Sequence, residues 1–422
     1  MNALSCKHRK PFLITMLVLM MCALPFACDV TSSDDDPDDD APPLQPPGPR
    51  FMGASSGDLL TLNDFELGEL PRIPYQRIPR EGAALAFSDM PEYFRTGAGI
   101  AMQESLEPGP NRLYVYHVIG QGEGSGVITS VLENTGSETM NVEFKAYAFP
   151  EISGNYLHIG KTGLADFFNS RYLNGDVPSS FTIEPGERRV IDEEMDSQTS
   201  SYPQLVHGFY EFEIDQPGEV SVLMRREGDD SGEAVDELEL LPRRLPGHSS
   251  SGAGRGLFEE ADFDIINDDE FILDSGDGVQ KLVVADGNDD PWVKGWDSIA
   301  GDEYENRGNY GVFYHLSIER KSSDNRGIAV LMGNRYAVGP DDEDNPCMNQ
   351  SGAVFVDAGA DPRGVVQIPE EETFFNTKGE YVLLQAYRPL DEGETDTINI
   401  IYSPPGASCL PTPIVFVPFE RE

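Results

Sequence analysis

Lysine and histidine are scarce: 422 residues hold eight Lys and six His. Arginine brings the basic total only to 30, against 74 acidic residues, for a formal charge of −44. That balance excludes nucleic acid as a partner, since neutralising phosphates needs clustered cations and this chain would repel a duplex. Cysteine occurs five times and tryptophan twice. Cys and His never fall at the spacing of a structural zinc site. His-Glu-x-x-His is absent, which closes the zincin route. Gly-x-Ser-x-Gly is absent too: Gly122-Glu123-Gly124-Ser125-Gly126 misses it by one position and lacks the Lys and following helix of a phosphate loop. The longest apolar stretch, Phe12 to Leu24, is too short to span a bilayer.

That stretch is part of an address. Lys7, Arg9 and Lys10 precede it and Leu24-Pro25-Phe26-Ala27-Cys28 ends it, the layout of a signal peptide over residues 1–27. Ala27-Cys28 resembles a bacterial lipobox, in which the Cys thiol is acylated and becomes the mature N-terminus. The fit departs from the pattern, with Leu24 four rather than three before the Cys and Phe26 where a small residue is usual. Two readings follow, lipidation at Cys28 or a soluble secreted protein cut nearby. Residues 29–40 carry seven Asp and 41–49 are mostly Pro. An acidic run repels itself and Pro stiffens the chain, so residues 28–72 read as an extended tether lifting a body off a membrane. An acidic stretch after the acylated Cys also resembles export signals of surface lipoproteins in some Gram-negative lineages. The expected place is the cell envelope, anchored by lipid to the outer membrane and facing outward, or else secreted or periplasmic. Cys347 and Cys409 remain in the exported body as a disulfide pair, in keeping with an oxidising compartment.

The body reads as all-β. Val142, Phe144, Ala146 and Ala148 alternate with Glu143, Lys145 and Tyr147, the period of a half-buried strand. Turn signals recur about every ten residues, which suits a sandwich rather than a doubly wound sheet. One short helix is expected, capped by Thr162, with Leu164, Phe167, Phe168 and Tyr172 on one face and Asn174-Gly175 as its stop. Val115-Tyr116-His117-Val118 followed by Gly126-Val127-Ile128 has a counterpart in Phe313-Tyr314-His315-Leu316 followed by Gly327-Ile328-Ala329. The expectation is two tandem β-sandwich domains that look like copies, at 73–245 and 257–422, joined by a Ser/Gly-rich linker at 246–256.

A resemblance rests on Gly160-Lys161 with Leu164 and Phe167-Phe168, on Pro185-Gly186-Glu187, on Asp290-Pro291-Trp292, and on Asn306-Arg307-Gly308-Asn309-Tyr310-Gly311-Val312. These are similar to a group of bacterial exported proteins with tandem β-sandwich domains. Gram-positive members often carry a repeat resembling the copper amine oxidase N-terminal domain; here the tether takes its place. The resemblance implies an architecture and brings no reaction with it.

Candidate sites remain. Asp286, Asn288, Asp290 and Asp297 occupy positions 1, 3, 5 and 12 of a loop like the calcium loop of an EF-hand. Pro291 stands where that loop wants Gly, so the choice is a looser calcium turn or a solvated acidic turn. Asp341-Asp342-Glu343-Asp344-Asn345 is a weaker second acidic run. Trp292 and Trp296, with Asn309 and Tyr310 nearby, suit either a sugar-stacking platform or a core layer. His117 and His315 inside strands read as packed structural residues before they read as bases. The carboxylates are too many to single out a glycosidase pair. The expected function is therefore a non-enzymatic one, binding or structural, toward a glycan or another envelope component. The alternative is an extracellular hydrolase of polysaccharide using a carboxylate pair not yet identified. An acid-rich, Lys-poor body also resembles the surfaces of proteins that work in salt, where screening makes self-repulsion tolerable.

Overall fold

Alternation builds the strands. In Met140–Ala148 every second residue from Met140 to Ala148 is buried, while Asn141 and Glu143 face solvent. Other strands are buried on both sides. Along Leu205–Ile214, Val206, Tyr210 and Phe212 enter one core while Leu205 and Phe209 enter another. Such a strand has packed layers on both faces.

The computed structural model describes residues 51, 53–63, 67–245, 248, 252–335 and 347–420, all within one unit that begins at Pro43. The signal peptide, Cys28, most of the tether, part of the linker, and the second acidic run lie outside the described residues. Most of the described chain is strand, with three α-helices among the described residues. No helix among them is long and apolar enough to cross a membrane.

Four sheets carry the body, and their strand orders correspond in pairs. In one sheet Ala84–Ser88 and Tyr93–Phe94 both run parallel to Gly109–Ile119; then follow, antiparallel, Leu205–Ile214, Met140–Ala148 and Phe181–Ile183. In another, Asp262–Asn267 and Leu273–Asp274 both run parallel to Phe313–Lys321; then follow Thr395–Tyr402, Gly352–Val356 and Gly364–Ile368. The outer sheets match as well. Arg188–Val190, Ser125–Asn134, Gly218–Arg225 and Gly99–Leu106 stand in one, against Glu380–Tyr387, Gly327–Gly333, Thr412–Phe419 and Gln280–Val284 in the other.

A division into two domains at 246–256 is not confirmed, because each half lends strands to the other. Tyr75–Pro79 pairs with Asp262–Asn267. In return Arg255–Phe258 pairs with Ala84–Ser88 and carries Lys294–Asp297 and Asp302–Glu305 beyond it. The tether expected over 28–72 is also shorter than that, because Leu59–Thr61 pairs with Glu380–Tyr387 and Leu62 and Leu70 are buried in a core.

Helix α1, Tyr156–Tyr172, fills the space between the two inner sheets. Phe167 stacks on Phe209 of one sheet at 4.2 Å and meets Phe313 of the other edge-on at 5.4 Å. The helix is longer than expected. Asn155, not Thr162, caps it, its side chain accepting from the His158 N–H at 3.3 Å. The apolar face made the second half legible, but in the first turn Ile159 alone is buried, while Tyr156 and Leu157 are half-exposed and His158 is exposed. Its end is where expected: Asn174 takes φ 56° and the Gly175 N–H returns to the Asn169 carbonyl. Two further helices were not foreseen: α2, Glu193–Ser197, capped by Asp192, and α3, Ser231–Glu237, capped by Asp230. Both are too short for an apolar period to show.

Candidate functional site

The acidic turn is occupied by its own protein. Asp290 is fully buried; one carboxylate oxygen accepts from the Ala285 N–H and the Tyr314 hydroxyl, both at 2.6 Å, and the other lies 3.0 Å from the Arg77 guanidinium. Burial raises the carboxyl pKa and Arg77 opposes the rise. Asp286 accepts the Asn288 and Asp290 N–H groups at 2.9 Å and pairs with Arg72. Asp297 belongs elsewhere, held by Arg243 at 2.6 Å and Arg255 at 2.8 Å. The four expected calcium ligands are thus split between separate sets of partners. No group of three or more His, Cys, Asp or Glu among the described residues could hold a metal ion.

The two tryptophans do not form a core layer. Trp296 is 52% exposed on Lys294–Asp297, between Leu257 and Glu303 of the neighbouring strands. Trp292 is half-buried over the Gly287 turn, where a Cβ would come 2.5 Å from its ring. Asn309 is structural: buried, its side chain accepts from the Val293 N–H and donates to Pro291 and Tyr314.

The strand histidines are packed into the sheets. His117 bonds Ser88 Oγ at 2.7 Å and the Pro91 carbonyl at 2.9 Å, and burial pushes its pKa down to about 4. His207 bonds the Val115 carbonyl at 2.9 Å and is likewise pushed down to about 4 by burial. His315 reaches Asp262 at 3.4 Å.

Tyr310, one of the expected ligand residues, lines a cavity of about 350 Å³ where the two halves meet. Tyr114 and Tyr116 are two residues apart on Gly109–Ile119, so both rings leave the same face, stacked 6.2 Å apart. Tyr156 comes from the first turn of α1. Tyr310 comes from the loop ahead of Phe313–Lys321, where Asn306 clamps its backbone from both sides, donating to its carbonyl and accepting from its N–H. Phe87 completes an aromatic wall.

Two carboxylates enter this wall. Asp89 follows Ala84–Ser88 and is 6% exposed; one oxygen accepts from the Ala253 N–H, and the other, Oδ1, has no hydrogen-bond partner. Glu92 is half-buried beside it. Burial, then the Glu92 charge, pushes the Asp89 carboxyl well up, and burial raises Glu92 too. Tyr116, 5% exposed, also has a hydroxyl without a partner. Each such buried group costs about 1–3 kcal/mol when left unpaired. Arg307 stands at the rim, exposed and 3.7 Å from Glu305. Gly252 and Gly406 let backbone close the site: a Cβ at either would collide with Asp89 or with the Tyr116 ring.

Sequence reasoning reached Tyr310 and the Tyr116 strand and missed Asp89 and Glu92. The missing signal was spatial, because the pair stands out only once the second half supplies Ala253 and Tyr310. Cys347 and Cys409 form the expected disulfide.

No family model matches this chain, and no curated protein does. Among solved structures, the CUB1-EGF-CUB2 domain of human MASP-1/3 aligns with 75% of this chain and 99% of its own length, at 7% identity and a TM-score of 0.17. At that score the likeness carries no argument.

Proposed function

We propose that this is an exported, lipid-anchored envelope protein that binds a ligand or envelope component in the cavity between its two halves, without catalysing a reaction. The observation that carries the reading is the pocket walled by Phe87, Tyr114, Tyr116, Tyr156 and Tyr310 and lined by Asp89 and Glu92, in which Asp89 and Tyr116 each keep a buried polar atom without a hydrogen-bond partner. Sites of this size with few convergent polar groups are the usual form of small-ligand pockets. The disulfide is in keeping with export, and the signal and Cys28 supply the membrane partner. The reading is tested by ligand-dependent melting: a rise with a ligand, lost in Asp89→Asn, is expected. Absence of any shift across sugars and amines would sink it. For the anchor, mass spectrometry of the mature N-terminus decides, and an unacylated start at Asp29 or Thr31 would overturn it.

A second reading has one observation in its favour. Asp89 and Glu92 are adjacent carboxyls, both raised in pKa, as a hydrolase's general acid must be. Turnover of a polysaccharide abolished by Asp89→Asn would establish it. Trp296 offers an exposed ring for a glycan outside the cavity. Calcium is left out of the proposal, because Arg72 and Arg77 already neutralise the acidic turn. A higher melting temperature in millimolar calcium would restore it.

A further inference from the structure

The cavity's chemistry narrows the ligand. It offers two carboxylates and a wall of tyrosine faces, while its one basic side chain, Arg307, is exposed at the rim. In the described residues Asp89 receives one backbone N–H and no cation, whereas the buried Asp290, Asp297 and Asp262 each have an arginine within 3.1 Å. Buried Glu104 and Asp192 also lack a cation, but donors reach both oxygens of each, from Ser298 on Glu104 and from Tyr147, Tyr210 and two backbone N–H groups on Asp192. Asp89 keeps one oxygen with neither a cation nor a donor. A neutral sugar would satisfy the hydrogen bonds but give the raised Asp89 carboxyl no charge to pair with. An anion would meet two carboxylates. A cation answers both features, since the ring quadrupoles of Tyr114, Tyr116, Tyr156 and Tyr310 attract positive charge and Asp89 pairs with it. The rings are apolar bodies and the hydroxyls few, so a weakly hydrated cation carrying alkyl groups fits better than a metal ion that must keep oxygen ligands.

We infer that the cavity binds an alkylammonium group, of the trimethylammonium or alkylamine class, between the tyrosine rings and Asp89. This rests on reading the cavity as the ligand site. Such a group could arrive as a small solute or as a lipid headgroup, and the two are separable by experiment.

The test is calorimetric titration of the full mature protein with choline, with its neutral isostere 3,3-dimethylbutan-1-ol, with a panel of neutral oligosaccharides, and with phosphatidylcholine vesicles. Choline is expected to bind at least about tenfold more tightly than the isostere. Asp89→Asn, which keeps the shape and removes the charge, is expected to weaken choline about tenfold without lowering the melting temperature. Tyr310→Phe keeps a ring and is expected to bind as the native chain does, whereas Tyr310→Ala is weaker. Binding of free choline supports a solute; binding of vesicles alone supports a headgroup. Equal affinity for choline and the isostere overturns the inference. Binding of sugars without choline overturns it while leaving the cavity a ligand site. Binding of none of these probes overturns both.

Discussion

Single residues show how this acid-rich chain handles buried charge and buried imidazole. Folding takes His117 and His207 out of water, so the folded chain refuses a proton that the unfolded chain accepts. Both sit at about 4 in the fold against an ordinary value of 6.5. The unfolded state therefore binds more protons between those values, and stability falls as pH drops through that window. Each His should cost about 3 kcal/mol by pH 4. His207→Gln is expected to flatten the decline in melting temperature from pH 7 to 4, read by calorimetry at a series of pH values. An unchanged slope would mean that His207 is accessible. At Arg112 the logic is opposite, because its charge is needed. Its guanidinium, buried over the Phe313 ring, joins Glu211 and Asp262 at 3.1 Å. Arg112→Met would leave Asp262 with His315 alone and Glu211 with the partly exposed Arg171 alone, and should cost about 3 kcal/mol, measured by denaturant unfolding. His117 illustrates what was legible: its place inside a Tyr-flanked strand favoured a packed role before any contact was known.

Among the elements, α1 has the most consequence for the site. It carries Tyr156 to the cavity at one end and wedges the two inner sheets with Phe167 and Phe168. Gly160 permits this position, since a Cβ there would lie 2.5 Å from the Gly406 carbonyl oxygen. Gly406 in turn donates its N–H to the Tyr114 hydroxyl at 2.9 Å. Alanine normally favours a helix over glycine by about 1 kcal/mol. Here the clash is with backbone, which cannot rotate aside, so Gly160→Ala is expected to destabilise by about 1–3 kcal/mol and to weaken ligand binding together with stability. A variant of raised melting temperature would contradict this packing. The apolar spacing of Leu164, Phe167 and Phe168 announced the helix, but its first turns depend on what they touch. The same limit hid α2 and α3, whose signal lies in their caps Asp192 and Asp230 alone, two Asp among many.

Across the whole molecule, the exchanged strands and the ionic cluster tie the halves together. Arg112 lies on a strand of the first inner sheet, Asp262 and His315 on strands of the second, and Arg171 of α1 reaches Glu211 at 2.9 Å. Asp262 is held below the ordinary carboxylate range, because Arg112 and His315 outweigh the burial that would raise it. Its contribution is present above the unfolded pKa and is lost as acid protonates it. The disulfide closes a separation of 62 residues within the second half. A loop of that length should contribute about 4 kcal/mol through the unfolded chain. Reduction is therefore expected to lower the denaturant midpoint clearly, and a single cooperative transition should persist if the shared sheets couple the halves. Two separated transitions would show the halves melting independently.

Sequence alone determined the features that depend on nearest neighbours and on composition. The period-two strands, the apolar half of α1 and its Asn174 stop are local, and the pairing of Cys347 with Cys409 followed from their being the two cysteines left in the body. The expected signal, the lipid at Cys28 and the acidic run are local readings too, but they lie outside the described residues and remain expectations. Tertiary structure decided the rest. Whether an Asp is a ligand, an ion pair or an open acceptor depends on what faces it: Arg77 reaches Asp290 from 213 positions earlier in the chain, and Arg255 reaches Asp297. Asp89 gained meaning only when Ala253 and Tyr310 came to lie beside it. Scarcity of basic residues sharpened that outcome, because buried carboxylates such as Glu104 and Asp192 must then rely on hydrogen-bond donors, and Asp89 keeps one oxygen with neither a cation nor a donor.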